Sequence, residues 1–420
     1  MKKILFFLAI TSLFFTYSCS NDISSAELSY TKATAIYGDL NEQRNIPIED
    51  DIRPIEDAGK VYVSEDLLLI GEENEGIHVY DNSDPENPTP ISFLNIPSNK
   101  EFYVNDNFIY AESVYDMLKI DMSDKSNPRL VNRVENAFVQ DFINADGQVL
   151  VGFEFEDVIE EVEENSDIWN ELSNNNNFAF FDFNERIIPA SAVPSSFAGS
   201  SNSTIGTVNR IAHAADHVYV ISNSHMTILS DNGNLELVDN IQAGRQMETI
   251  YPQDNSLYIG TRNSMLVYDI STPVSPRERS RYDHVDSCDP VLPNGDIAYL
   301  TLRSNGTGCP GDINALIVLD ISNENFSSEI QTVEMESPYG MTLIGNTLYV
   351  GEGTNGLKTF DTSSNDNTVS LISSDINVEA YDIIAHPTRS DIILVASPDG
   401  FGQYQIDSNQ DMSLLSWIQI

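Results

Sequence analysis

The sequence predicts an all-β chain folded as a β-propeller of eight four-stranded blades, with seven as the runner-up, and three observations predict it. The first is a unit, residues 256–276 (SLYIGTRNSMLVYDISTPVSP). Its alternating runs 257–259 and 265–268 flank a short polar turn and stop at Asp269, as a hairpin of half-buried strands does. The second is recurrence. The unit's second strand returns at 67–70, 108–111, 149–152, 218–221, 257–260, 298–301, 348–351 and 392–395. Its third strand returns as GIHVYD at Gly76, DMLKID at Asp116, NFAFFD at Asn177, HMTILS at His225, SMLVYD at Ser264, ALIVLD at Ala315, GLKTFD at Gly356 and GFGQYQ at Gly400. The third is spacing. The third-strand ends Asp81, Asp121, Asp182, Ser230, Asp269, Asp320, Asp361 and Gln405 lie 40, 61, 48, 39, 51, 41 and 44 residues apart, a period near forty that suits propeller blades. A first strand such as 248–251 and a fourth such as 277–282 complete each unit. Seven blades result if the irregular fourth copy merges with a neighbour.

Ahead of the repeats, residues 1–18 read as a secretory signal peptide: Lys2 and Lys3, an apolar run 4–15, then Thr16-Tyr17-Ser18 before Cys19. The run is too short to span a bilayer. Residues 19–58 form a polar tether with Pro47 and Pro54, within which 28–40 (LSYTKATAIYGDL) holds enough β-formers for an extra strand. The propeller is assigned to 59–420.

The chain carries 21 Lys and Arg against 65 Asp and Glu, a formal net charge of −44. So negative a surface disfavours nucleic acid and anionic lipid as partners; it suits solubility in salt, or cations.

The small residue before Cys19 resembles a bacterial lipoprotein signal, in which the Cys is lipidated; Thr16 departs from the usual Leu, and ordinary signal cleavage is the alternative. The unit ending DxSxPxxP, as in DNSDPENP from Asp81, DMSDKSNP from Asp121 and DISTPVSP from Asp269, resembles the LVIVD repeat of bacterial surface β-propeller lipoproteins. The runs ENEGIHVYDNSDPENP and SCDPVLPNGDIAYLTLRSNGTGC are similar to members from Bacteroidetes-type envelopes. The fourth and eighth copies lack the terminal Asp and the Pro turn. The resemblance implies a fold and a location, an exported protein held at the outer membrane or cell surface through Cys19, rather than a chemistry.

Antiparallel strands reverse at each turn, so loops entering a blade share a face with loops joining its second and third strands. The long insertions 154–177, 191–206 and 303–314 all fall on that face, where a rigid scaffold carries binding loops. Val158, Val162, Trp169 and Leu172 have roughly helical spacing, which predicts a short amphipathic helix over 154–172. The Asp-x-Ser turns of the opposite face lack the ligand spacing of a calcium loop and read as strand-end caps on the turn backbone.

No H-E-x-x-H or G-x-S-x-G motif occurs, and the six His are scattered; His213 and His217 read as packing residues. A carboxylate pair for glycoside chemistry is compatible with so acidic a chain, though only Trp169 and Trp417 are available for sugar stacking. Cys288 and Cys309 fall on one face of one blade, and export permits a disulfide between them, with free thiols or a metal pair as alternatives. Aligning the first strands places Lys60, Glu101, Asp141, Arg210, Glu248, Asp289, Gly340 and Asp382 at one position per blade. If that position points inward, Glu101, Asp141, Glu248, Asp289 and Asp382 ring the channel mouth. Such a ring either recruits Ca²⁺ or Mg²⁺ or pairs with Lys60 and Arg210 in a structural network. The residues thus favour a membrane-anchored, extracytoplasmic binding or scaffolding module without catalysis, with a protein or glycan ligand on the insertion face. The alternative is a periplasmic or surface hydrolase acting on glycans.

Overall fold

The computed structural model describes residues 25–138, 143–144, 146–164, 166–174, 178–181, 187–188, 211–222, 225–243, 247–285, 290–304, 311–323, 325 and 327–420. They form two compact units. One is built on 25–35 and the described part of 153–193, the other on 36–152 and the described part of 194–420.

The larger unit is a seven-bladed propeller, so eight is corrected to seven. The blades span 58–95, 102–134, 211–242, 247–283, 291–334, 341–375 and 382–419, each an antiparallel four-stranded sheet; blade 1 adds Glu49–Asp50 outside its fourth strand. Each gap between neighbouring blades holds its own apolar cluster, and the cluster joining blades 7 and 1 closes the ring.

Blade 4 shows how the sequence pattern produces this packing. Leu257, Ile259 and Leu266 point toward blade 3, whereas Tyr258, Met265 and Val267 point toward blade 5. Every residue of Ser256–Thr261 is therefore buried, while the outermost strand, Arg277–Asp283, is half-exposed. The hairpin is thus buried on both faces rather than half-buried, because a blade is flanked on both sides. A bulge interrupts the pairing of third and fourth strands in every blade, as at Val267/Tyr268, and the added twist lets successive blades fan around the axis.

The ring closes through side chains, the last blade keeping its own fourth strand, Met412–Gln419. Asn82 Nδ2 donates to Gln403 Oε1 (3.0 Å) and Gln403 Nε2 returns a bond to Asn82 Oδ1 (2.7 Å), both side chains buried. Ser416 Oγ donates to the Pro85 carbonyl at 2.7 Å.

The copy that leaves the ring is the third, not the fourth. Its second strand continues as the fifteen-residue Val149–Glu163, and strand Ser25–Gly38 stands between it and Phe178–Phe181 in the sheet. Thr31 to Thr34 pair parallel with Phe178 to Phe181, so the hairpin expected of a blade never forms. The expected strand over 28–40 is present, and this is its partner. The helix expected over 154–172 is reduced to Asp167–Asn174. Val158 and Val162 are four apart, a spacing that fits period two as well as 3.6. Tyr30 Oη donates to Glu160 Oε1 at 2.5 Å and Thr31 Oγ1 to Asp157 Oδ1 at 2.8 Å, satisfying two acids of this strand.

On the turn face, Asp81, Asp121, Asp269, Asp320 and Asp361 each accept the amide of the Ser two residues on, at 2.8 to 3.0 Å. The Asp-x-Ser turns are therefore backbone caps.

Candidate functional site

The mouth on the insertion face is assembled from first-strand entries and second-strand exits. Arg303 follows the second strand of blade 5, Ile297–Leu302, as the first residue of an insertion. Only 5% of its surface is exposed. Its guanidinium carbon lies 4.1 Å from the centroid of Tyr339, which precedes the first strand of blade 6. Tyr381, preceding the first strand of blade 7, meets Tyr339 edge-on with centroids 4.7 Å apart. A cation is thus held against a half-exposed aromatic pair, an arrangement that the ring quadrupole favours.

Backbone contacts fix the two tyrosines. Thr301 Oγ1 donates to the Tyr339 carbonyl (3.0 Å), Tyr339 N to Gly351 O (2.8 Å) and Gly340 N to Tyr381 O (3.1 Å). Gly353 exchanges two backbone bonds with Ala380 (2.7 and 3.1 Å). Gly353 has φ 56°, and a Cβ there would stand 2.9 Å from Tyr339 Cε2, so the close approach requires glycine.

Burial pulls the Arg303 pKa below its ordinary value, opposed by Tyr339 and by the Glu248 carboxylate on the first strand of blade 4. Among the described residues Arg303 Nη1 is buried and has no hydrogen-bond acceptor. An unsatisfied donor on a buried cation is costly, which makes it the outstanding group of this face. Beside it, Tyr381 Oη donates to Glu379 Oε1 at 3.0 Å; burial and then Glu379 push the Tyr381 pKa up to about 12, so its hydroxyl stays protonated.

Three buried acids of the mouth, Glu72, Asp116 and Glu352, are paired. Glu72 accepts His78 Nε2 (2.7 Å) and the amides of Glu56 and Asp57. Asp116 is gripped by Arg44 (2.7 and 2.8 Å), by Arg133 (3.0 Å) and by the Asn136 amide (2.9 Å). Glu352 pairs with Lys358 at 2.7 Å.

Of the expected acidic ring, Glu101, Glu248 and Asp382 lie among the described residues, and each has a different neighbour. Glu101 lies 3.6 Å from Lys60, the pairing expected of a structural network. The Glu248 carboxylate acts electrostatically on Arg303. Asp382 is buried against Gly340, where a Cβ would collide with its carboxylate and lie 3.0 Å from its Cα. Asp141, Asp289 and Arg210 lie outside the described residues, as do Cys19, Cys288 and Cys309. Among the described residues no group of three His, Cys, Asp or Glu is placed to hold a metal ion. His213 packs beside Tyr110, with rings 5.8 Å apart, and His217 Nδ1 bonds the Ala215 carbonyl.

Sequence reasoning gave Arg303 only as an insertion boundary and missed both tyrosines. One residue further back in the first-strand alignment, Tyr339 and Tyr381 precede Gly340 and Asp382 in consecutive blades, and that was the available signal.

The LVIVD repeat family model matches residues 250–284, which run from the first strand of blade 4 to just past its fourth. The chain is a β-propeller whose fourth blade carries an LVIVD repeat. No curated protein matches it in sequence. Among solved structures, the LVIVD propeller is similar to a provisionally named 6-phosphogluconolactonase from Bacteroides uniformis, with TM-score 0.55, 13% identity, and 87% of this chain and 97% of that chain covered. A second protein so named, from Bacteroides fragilis, gives 0.54 and 12%, with 86% and 94% covered. A periplasmic gluconolactonase from Pseudomonas aeruginosa gives 0.54 and 13%, with 84% and 96% covered. At such identity the likeness shows the fold alone. Among the described residues of the LVIVD propeller, no helix is long and apolar enough to cross a membrane.

Proposed function

We propose that this propeller is an extracytoplasmic hydrolase of sugar-derived substrates, with sugar lactones the first class to test. This corrects the expectation of a non-catalytic scaffold: the similar solved structures carry the names of sugar lactonases, which favours the hydrolase alternative. Fold likeness does not by itself give function, so the reading is carried by the site, and within it by one observation, the buried, unsatisfied Arg303 Nη1 beneath Tyr339 and Tyr381.

The chemistry follows from these groups. A sugar ring stacks on the exposed aromatic edges, with its ester carbonyl turned toward Arg303. Glu248 takes a proton from water as the water oxygen attacks the carbonyl carbon, and Arg303 Nη1 stabilises the oxyanion. Collapse breaks the ring C–O bond, and the leaving oxygen takes up the proton from Glu248. The product is a hydroxy acid, whose ionisation releases one proton. Export rests on the signal-like residues 1–18, and anchoring through Cys19 is part of this proposal.

The test is proton release from glucono-δ-lactone in weak buffer, with spontaneous hydrolysis subtracted. Catalysis is expected, and it should fall by about 100-fold in Glu248→Gln. Equal rates with and without protein, across aldono- and uronolactones, would reject the reading.

A further inference from the structure

We propose that the mouth is also a receptor for sugar-acid monoanions, holding the carboxylate of an aldonate or uronate on Arg303 more tightly than the corresponding neutral sugar or lactone. This deepens the hydrolase reading and rests on it for the sugar class, but the anion site stands on its own observations.

Arg303 is 95% removed from solvent, and its Nη1 has no acceptor among the described residues. Among the described residues its charge is balanced by Tyr339, through the ring face and a side-chain hydrogen bond, and by the Glu248 carboxylate and Tyr381. A carbonyl oxygen placed there accepts a bond from a neutral molecule. The bond from Arg303 is charge-assisted in either case; a carboxylate adds the attraction of a full negative charge, so the acid outbinds its lactone by about tenfold.

Two features favour a carboxylate over a phosphate. The guanidinium carbon lies over the Tyr339 ring, and the N–H bonds of a guanidinium, that of the unpartnered Nη1 included, lie in its own plane, where a planar carboxylate fits. Glu248 and Glu379 stand nearby, and they repel a dianion more strongly than a monoanion.

The chain's charge of −44 sharpens the inference. It repels any anion at long range, whereas the pair at Arg303 forms out of solvent. Salt at 0.15 M screens beyond about 8 Å, so it weakens the repulsion more than the buried contact. Association of the sugar acid is therefore expected to accelerate as salt rises, the reverse of ordinary charge-steered binding.

The test is calorimetry and thermal melting of the full mature chain with sodium gluconate, sodium glucuronate, glucose and sodium phosphate, at low and moderate salt. Wild type is expected to bind gluconate or glucuronate at least about tenfold more tightly than glucose or phosphate. Arg303→Gln should abolish the difference, and Arg303→Lys should retain a part of it. Asp361→Asn, on the turn face, should bind as wild type does. Equal binding of glucose, equal binding of phosphate, or undiminished sugar-acid binding by Arg303→Gln would each overturn the proposal. Should Arg303→Gln fail to fold, the wild-type comparison of gluconate with glucose decides. Sugar-acid binding without lactone turnover would reject the hydrolase and keep the anion site; turnover without Arg303-dependent binding would do the opposite.

Discussion

The two faces of the propeller satisfy their carboxylates by opposite means. On the turn face, Asp81, Asp121, Asp269, Asp320 and Asp361 take a serine amide two residues away, in exposed turns. On the mouth face, Asp116 is held by Arg44, 72 residues distant, and Glu72 by amides 15 and 16 residues distant. Local pairs form in the copies that keep the Asp-x-Ser turn, independently of the rest of the ring. Long-range pairs form where the ring brings strangers together, and there, among the described residues, Arg303 is left with a donor to spare. The proposed site sits where the repeat's own pairing rules stop applying.

The largest expected effect comes from removing a long-range partner. Arg44→Ala leaves Asp116 fully buried with Arg133 and one amide, and should cost about 3 kcal/mol, the low end for breaking a buried pair because Arg133 remains. Urea denaturation measures it; a loss under about 0.5 kcal/mol would put Asp116 among the locally satisfied acids.

Gly340→Ala is expected to cost about 2 kcal/mol by overpacking, since the new methyl overlaps the Asp382 carboxylate. Unchanged stability would mean that Asp382 moves freely, and that the blade 6 to blade 7 junction is softer than its packing implies.

A pH series sharpens the same contrast. For Glu72 and Asp116, burial pushes the pKa up, but the bonds from His78 and the Asp57 and Glu56 amides, and from Arg44, the Asn136 amide and Arg133, outweigh it and leave both lowered. A lowered folded-state pKa contributes stability that is present above the ordinary values of 4.5 and 3.8 and is lost as pH falls through the folded ones. Denaturation at moderate salt, which screens the −44 charge, should therefore show a plateau above about pH 5 and a decline below about pH 4. Stability rising steadily toward pH 3 would show that relief of charge repulsion outweighs these bonds.

The smallest effect belongs to the turn face. Asp320→Ala should leave the melting temperature within about 2 °C of wild type, because water replaces a cap on an exposed amide. A larger fall would make the turn aspartates structural keystones rather than local caps.

The blades were legible because a two-residue period, a terminal Asp and a forty-residue spacing are local properties of the chain. The count was not, because the third copy carries the same local pattern in its second and third strands. What removes it from the ring is Ser25–Gly38, a strand over a hundred residues upstream that takes the place of its hairpin partner. The mouth was half legible. Alignment of first strands named Glu248, Gly340 and Asp382, and all three lie at the site. Arg303 lay beyond that alignment because it leaves a second strand, and only the curvature of the ring carries it against the tyrosine of the next blade.

The most direct test of the mouth as the working site is a crystal structure of the chain grown with sodium gluconate. The account predicts the sugar acid against the exposed edges of Tyr339 and Tyr381, with a carboxylate oxygen within hydrogen-bonding distance of Arg303 Nη1. Ligand found only on the turn face or on the smaller unit, or Arg303 Nη1 already bonded to an acceptor of the protein, would contradict it.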